Sequence, residues 1–306
     1  MKKTKALVLF SGGLDSRITI KLLQDQGINV EAVYIKLPFG KGCCTSFGCV
    51  LNFTQIQGVK LHQIDASKGR LLQKYLNAIR KPKYNRGSAM NPCQDCKIFL
   101  FQQAKKLAKK INAEIIATGE VLGQRPMSQM KKHLLLDEKE AGLENKILRP
   151  LSAKLLPETD AEKKGLIDRN KLLDIEGRQR TKQMQLAKHY NLTYPTPSGG
   201  CILCEKFLKN RFKQILKRKL NKDSVKFLSI GRHFIINNSW IILGRNEEEN
   251  GILETTKSGK LITPNFLAPS ARYFGKIKKE KVLELIKAYS KQSPPEKRKE
   301  FEPFRL

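Results

Sequence analysis

Apolar positions come in blocks along the first 120 residues, and the period of the blocks alternates. Ala6 to Phe10 is an unbroken apolar run of strand length. From Arg17 to Gln26 the apolar residues Ile18, Ile20, Leu22 and Leu23 recur at helical spacing. Val30 to Leu37 is rich in β-branched and aromatic residues and predicts a second strand, with a loop of Gly and Cys from Gly40 to Gly48 after it. A third strand is expected at Val59–Ile64, a helix over Leu71–Ile79, and a basic loop with Pro and Gly from Arg80 to Pro92. Asp95 to Ile111 has Ile98, Phe101, Ala104, Leu107 and Ala108 on one helical face, and Ala113–Ala117 predicts a fourth strand. Strands and helices of this length in alternation predict an α/β domain with a doubly wound, mainly parallel sheet.

Further along, the texture changes. Leu148 to about His189 predicts a mostly helical stretch, and Tyr194–Gly200 a loop that presents Cys201. Glu205–Leu220 predicts a strongly basic amphipathic helix. Short β runs follow at Phe234, Trp240–Leu243 and Lys260–Thr263. The expected organisation is residues 1–204 as the large domain, 205–290 as a smaller α+β domain, and 291–306 as a loosely held tail. There is no internal repeat.

Charge adds a partner to this outline. Lys and Arg number 59 against 28 Asp and Glu, a net charge of +31. Residues 201–306 carry 24 basic and 11 acidic residues, or +13, so the remaining +18 lies in residues 1–200. Both halves are basic, which points to a polyanion lying across them: nucleic acid. A Lys-rich proteome is the bland alternative. No apolar run reaches the roughly 20 residues of a membrane helix. The short run after Met-Lys-Lys-Thr-Lys lacks a signal-peptide core, so the expected location is the cytoplasm.

Two kinds of candidate chemistry stand out. Ser11-Gly-Gly-Leu-Asp-Ser16 follows the first strand, where an open α/β sheet binds its ligands. Gly12 and Gly13 let backbone approach an anion, Ser11 and Ser16 add hydroxyls, and Asp15 suits a Mg²⁺ that bridges phosphates. The lysine that ends a Walker loop is missing. The seven cysteines form three clusters: Cys43, Cys44 and Cys49, then Cys93 and Cys96, then Cys201 and Cys204. Two C-x-x-C pairs supply four metal ligands. Thiols at a helix start also suit nucleophilic work, since the helix N-terminus lowers a thiol pKa. The first cluster either lines the same cleft or packs as small buried residues.

The loop resembles the PP-loop of the ATP pyrophosphatase superfamily, whose members split ATP between the α and β phosphates and adenylate a carbonyl oxygen. Asn91-Pro92 with Cys96 four residues on, and Ser198-Gly-Gly-Cys201, resemble the segments with the two working cysteines of tRNA 2-thiouridylases. That resemblance gives Asp15, Cys96 and Cys201 the catalytic roles. Cys93, Cys96 and Cys201 are also similar to the layout that holds a [4Fe-4S] cluster in another branch of PP-loop thiolases, with Cys204 spare or a fourth ligand. A cysteine persulfide and disulfide pair, or structural zinc, are the alternatives. Thr118-Gly-Glu120-Val-Leu-Gly-Gln124, then Ser128-Gln129 and Arg149-Pro-Leu151, resemble 4-thiouridine synthases, with one residue inserted before Ser128. There the segment closes over nucleotide and base, which assigns Thr118, Gly119 and Gln124 to the nucleotide and Arg125 and Arg149 to phosphate.

Trp240 to Asn250 resembles the core motif of the R domain of NFACT ribosome quality-control proteins. With it, Arg211, Lys217, Arg218, Arg232 and Arg245, interleaved with Phe234, Trp240 and Tyr273, form the candidate RNA surface. The resemblances together imply ATP-dependent thiolation of a tRNA uridine to 4-thiouridine or 2-thiouridine. The partners would be tRNA and a sulfur donor, either a cysteine desulfurase relay or sulfide, with homodimerisation open. A PP-loop ligase that adds nitrogen, and a non-catalytic ribosome-associated RNA binder, are the competing classes.

Overall fold

The computed structural model describes residues 3–39, 47–126, 128–195, 201–218 and 221–306. The chain divides into two compact units, Met1–Cys204 and Glu205–Leu306.

In the first unit the strands are β1 Lys5–Leu9, β2 Asn29–Lys36, β3 Lys60–Asp65, β4 Ile115–Thr118 and β5 Ile147–Leu148. The helices are α1 Leu14–Gln24, α2 Phe47–Ile56, α3 Gly69–Arg80, α4 Cys93–Ile111, α5 Lys131–Ala141, α6 Asp160–Lys163 and α7 Thr181–His189. The sheet runs in the order β3-β2-β1-β4-β5, and every pair in it is parallel. This is the expected doubly wound α/β sheet. Ala6 and Val8 on β1 face the layer that holds α1 and α7, while Leu7 faces the layer that holds α4 and α5. Burial on both faces is why β1 reads as a continuous apolar run and not as an alternating one.

The strand order reverses at β1. The chain leaves β1 toward β2 and β3, then returns to place β4 on the other flank. The chain therefore leaves β1 and β4 toward opposite faces of the sheet, which sets a ligand crevice at their carboxyl edge.

Three local expectations are corrected. Helices α2 and α5 were not foreseen, because their flanks read as loop. The stretch from 148 to 189 is not mainly helical: it is 3₁₀ turns at Ala153–Leu155 and Arg169–Lys171, the single turn α6, and then α7. Pro150, Pro157, Gly165 and Gly177 interrupt it, the two glycines at positive φ. The basic helix is shorter than expected, with a 3₁₀ turn at Lys206–Leu208 leading into α8 Lys209–Leu216.

In the second unit α8 is followed by α9 Lys222–Lys226, β6 Arg232–Ile236, β7 Ser239–Leu243, α10 Glu247–Thr255, β8 Lys260–Ile262, β9 Ala271–Phe274, α11 Lys279–Ala288 and α12 Pro295–Lys299. Its sheet is antiparallel in the order β6-β7-β9-β8. Residues 291–306 are not a loose tail. Phe301 is buried in this unit's core, and the Leu306 N–H donates to the His233 carbonyl at 2.9 Å.

Among the described residues no helix is long and apolar enough to cross a membrane.

Candidate functional site

The loop after β1 is braced from below. Gly12 takes φ +80°, and a Cβ there would meet Val50 Cγ2 at 3.0 Å. The Arg17 guanidinium is buried beneath it. Its Nε donates to the Gly12 carbonyl at 2.8 Å, one amino group donates to the Thr193 carbonyl at 3.0 Å, and the other to Cys49 Sγ at 3.2 Å. The ring of Phe53 lies 4.3 Å away. Ser16 Oγ donates to the Gly13 carbonyl at 2.9 Å, which fixes the turn into α1.

The T-G-E segment after β4 presses on this loop. A Cβ on Gly119 would stand 2.6 Å from Ser16 N and 2.7 Å from the Asp15 carbonyl carbon, both backbone atoms. Only glycine allows the two loops to approach so closely. Gly119→Ala is therefore expected to cost about 2 kcal/mol of stability or more and to weaken ATP binding; thermal melting and nucleotide titration measure the two effects.

Four residues on, Gln124 Nε2 donates to Asp15 Oδ2 at 3.2 Å, while Asp15 Oδ1 is buried with no partner among the described residues. Burial pushes the Asp15 carboxyl up, with Gln124, Arg180 and Arg125 opposing it. A buried carboxylate oxygen left open beside a two-glycine turn fits Mg²⁺, which takes one or two carboxylates and fills its shell from phosphates and water.

An ionic network ties α4 to the same segment. Lys97 pairs with Glu120 and donates to the Ser128 carbonyl at 2.7 Å. Glu120 also takes Arg149 Nε at 3.1 Å, and Arg149 pairs with Glu138 as well. Burial alone would push the Glu120 carboxyl up, but Lys97 and Arg149 outweigh it and hold Glu120 below the ordinary range.

Asp137 sits in the same region, fully buried, with neither oxygen hydrogen-bonded. Burial pushes its carboxyl up to about 8. At neutral pH it holds its proton in the fold and loses it on unfolding, so stability falls as pH rises from about 4 to about 8. Asp137→Asn cannot ionise. It is expected to melt higher than the native protein near pH 8, by a margin that closes toward about pH 4, in melts followed across that range.

The second C-x-x-C meets the first. Cys93 and Cys96 open α4, and the Ile202 N–H donates to the Phe39 carbonyl at the end of β2, at 3.2 Å. The Cys93 thiol is within hydrogen-bonding reach of Cys204, and Cys204 of Cys201. Cys96 Sγ lies 3.4 Å from the buried Tyr75 hydroxyl, and Asn91 Nδ2 donates to Cys93 Sγ at 2.9 Å.

The helix N-terminus does not lower these thiols, as position alone suggested. Burial first of all pushes Cys96 up to about 12, with Cys93 and Cys204 adding to the shift. Cys93 is pushed up mainly by its contact with Cys204 and then by burial. As thiolates the group would repel itself in a poorly solvated site, so it calls for a positive centre. The donor set is all sulfur and fits an iron–sulfur group in kind. Among the described residues no three His, Cys, Asp or Glu side chains are gathered as a ready-made cage for one metal ion. The exposed Arg125 adds positive charge near both Asp15 and Cys204, which favours the ionised form of each.

Residues 4–142 match the family described as the tRNA methyl transferase HUP domain. The match lies wholly within the first unit. The chain's relatives include the tRNA-specific 2-thiouridylase MnmA of Sulfurimonas denitrificans, 34% identical over 124 residues, which are 39% of this chain and 35% of that one. Another is the MnmA of a Picosynechococcus species, 33% identical over 136 residues, or 43% of this chain and 38% of that one. The chain thus spans little more than a third of the length of these curated relatives. Among solved structures, the U34-tRNA thiolase NcsA of Methanococcus maripaludis with its [4Fe-4S] cluster is 15% identical, with a TM-score of 0.38 over 74% of this chain and 71% of that one.

Within the first unit several expected contacts take other roles. Arg149 is buried and paired to two carboxylates, so it cannot reach RNA or phosphate. The Thr118 hydroxyl is buried and turned to Glu120. Gly119 serves by its lack of a side chain, and Gln124 reaches Asp15. Arg125 is exposed. Cys43 and Cys44 lie outside the described residues. Cys49 stands under the phosphate loop as a partner of Arg17.

Sequence reasoning missed Arg17, Lys97, Glu120 and Tyr75. The signal for Arg17 was a cation next to the loop on an otherwise apolar helix.

In the second unit the interleaved aromatics are core and not stacking platforms: Phe234, Trp240 and Tyr273 are buried, and Trp240 Nε1 donates to His233 Nδ1 at 3.1 Å. Arg211 donates to the carbonyls of Leu228 and Gly231, Arg232 to that of Gly244, and Arg245 pairs with Glu249. The Arg218 guanidinium lies 5.2 Å from the Trp240 ring and donates to Gln214. Most of these cations are therefore occupied in holding the unit together. Lys217 is exposed.

Proposed function

We propose that this protein is an ATP-dependent tRNA uridine sulfurtransferase. The observation that carries the reading is the phosphate cradle at Gly12–Ser16 beyond β1, with one C-x-x-C at the start of α4 and the other bonded through Ile202 to Phe39 beyond β2, all at the carboxyl edge of one parallel sheet. The kinship of the chain with tRNA 2-thiouridylases supports it.

ATP would lie with its phosphates over the loop amides and the α1 N-terminus, and Asp15 would hold Mg²⁺ against them. The uridine carbonyl oxygen attacks the α-phosphorus, a P–O bond forms, and pyrophosphate leaves with the electron pair of the broken α–β bond. Loop amides and Arg125 are placed to oppose the charge that develops. A sulfur nucleophile then adds to the activated carbon and AMP departs with the former carbonyl oxygen.

Cys93, Cys96 and Cys201 would hold a [4Fe-4S] cluster, with Cys204 beside them as a fourth ligand or a spare. When bound, such a cluster supplies a site that keeps inorganic sulfur ready for delivery. Positive charge over the second unit is suited to the tRNA backbone, through exposed lysines such as Lys217.

Mass spectrometry of tRNA nucleosides from cells lacking this gene tests the reading. Loss of one thiouridine species is the expected result, and an unchanged set would overturn it. Anaerobic purification followed by iron and sulfide assays should give about four of each per chain, against one zinc or none for the alternatives.

A further inference from the structure

The Asp15 carboxylate is met from two sides. On one side stand Gln124 and Arg125, in the segment after β4. On the other stands the start of α7. The two segments run together: Leu122 and Glu176 form a parallel bridge, and the Gly177 N–H donates to the Leu122 carbonyl at 2.8 Å. A Cβ on Gly123 would lie 3.4 Å from Gly177 N. From there the chain enters α7, whose N-cap is Arg180. Helix α7 packs on α1, and the Arg17 bond to the Thr193 carbonyl clamps its far end to the phosphate loop.

Two polar groups on this second wall lack explanation by the fold. Gln183 is fully buried on the first turn of α7 and acts on the Asp15 carboxylate, yet neither of its amide atoms has a well-formed hydrogen bond among the described residues. Packing alone does not call for a buried amide there, since leucine has a similar volume. Asp15 Oδ1, opposite, is also buried and partnerless. Arg180, the N-cap three residues before Gln183, makes no ion pair with any described carboxylate, and it lies near enough to Asp15 for its charge to favour the ionised carboxyl. Three unfilled groups thus point to one place, and their chemistry suits a hydrated magnesium ion and the oxygens of a polyphosphate.

We infer that Arg180 and Gln183 form the second wall of the nucleotide site, with Arg180 gripping the pyrophosphate end of ATP and Gln183 positioning Asp15 and a water of its Mg²⁺. Arg125 has Cys204 near it as well and belongs to the α-phosphate and base end, where sulfur must arrive. Arg180 takes the opposite end, where the leaving pyrophosphate departs. This rests on the nucleotide reading of the phosphate loop given above.

Titration of the full chain with magnesium and a non-hydrolysable ATP analogue, inorganic pyrophosphate or AMP tests it, with no turnover required. Arg180→Met should weaken the analogue and pyrophosphate by about tenfold or more and shift AMP by less than about threefold. Gln183→Leu should melt no lower than the native chain but raise the magnesium concentration for half-maximal analogue binding by about tenfold. Arg180→Lys should recover part of the lost affinity, which separates charge from packing. Unchanged pyrophosphate affinity in Arg180→Met, an equal loss for AMP, or an unchanged magnesium requirement in Gln183→Leu would overturn the inference. A native chain that binds no magnesium–analogue complex at all would instead overturn the nucleotide reading on which it rests.

Discussion

Replacing Cys96 with serine is expected to lower thiouridine formation by about a thousandfold or more, while tRNA-dependent release of pyrophosphate persists. In the proposed reaction the two halves use different groups: activation would use the cradle at Gly12–Ser16 and Asp15, and sulfur delivery would use the thiols. Cys96 lies half-buried against the Tyr75 hydroxyl, and burial first of all, with the other thiols adding to the effect, pushes its thiol up. A serine hydroxyl fits the space but neither binds iron nor carries sulfur. Nucleoside mass spectrometry and a pyrophosphate assay on the same tRNA separate the steps. Equal loss of both would mean that Cys96 supports the fold and not the transfer. Loss of neither would remove sulfur chemistry from this site. A nitrogen-adding ligase would form no thiouridine with or without Cys96 and would release pyrophosphate equally in both cases, since it has no use for the thiols.

The largest effect on stability is expected at Arg149. Its guanidinium is buried between Glu120 and Glu138 and also donates to the Leu134 carbonyl at 3.3 Å. Arg149→Met keeps most of the volume and leaves two buried carboxylates without their shared cation. Removing one partner from such a group costs about 3–5 kcal/mol. For a domain of this size that corresponds to a fall in melting temperature of about 10 °C. The deficit has a defined pH dependence. Without Arg149 both carboxyls shift upward and take up protons in the fold before they would in the unfolded chain, so the variant should regain stability as pH falls toward about 5. Glu138→Gln combined with Arg149→Met should recover part of the loss at neutral pH. A variant that melts like the native protein would mean the network is not what holds α4, the T-G-E segment and β5 together.

That network also shows where sequence reading fell short. The pattern R-P-L was visible, and a conspicuous arginine beside a nucleotide motif reads naturally as a phosphate ligand. Whether an arginine points outward or inward depends on which carboxylates the fold brings to it. Here Glu120 and Glu138 come from segments 29 and 11 residues away. The same holds for Trp240, whose cationic neighbours suggested RNA stacking. In the fold its ring is enclosed by Phe227, His233 and Phe274.

What the linear chain determined by itself was everything that depends on local spacing. The continuous apolar run at β1, the two-glycine loop and the helical period of α1 dictate a strand, an anion turn and a helix in that order, because backbone sterics and side-chain direction act over a few residues. The paired cysteines announced a shared task by their composition alone. Tertiary structure decided which groups face one another. The reversal of strand order at β1 opens the crevice, Gly119 lets the second loop close to van der Waals distance on Ser16, and the bridge from Leu122 to Glu176 carries Arg180 and Gln183 up to Asp15. Those encounters join residues from about fifty to more than a hundred positions apart. Their energies come from burial, desolvation and charge pairing, which exist only once the chain has folded and which no local pattern encodes.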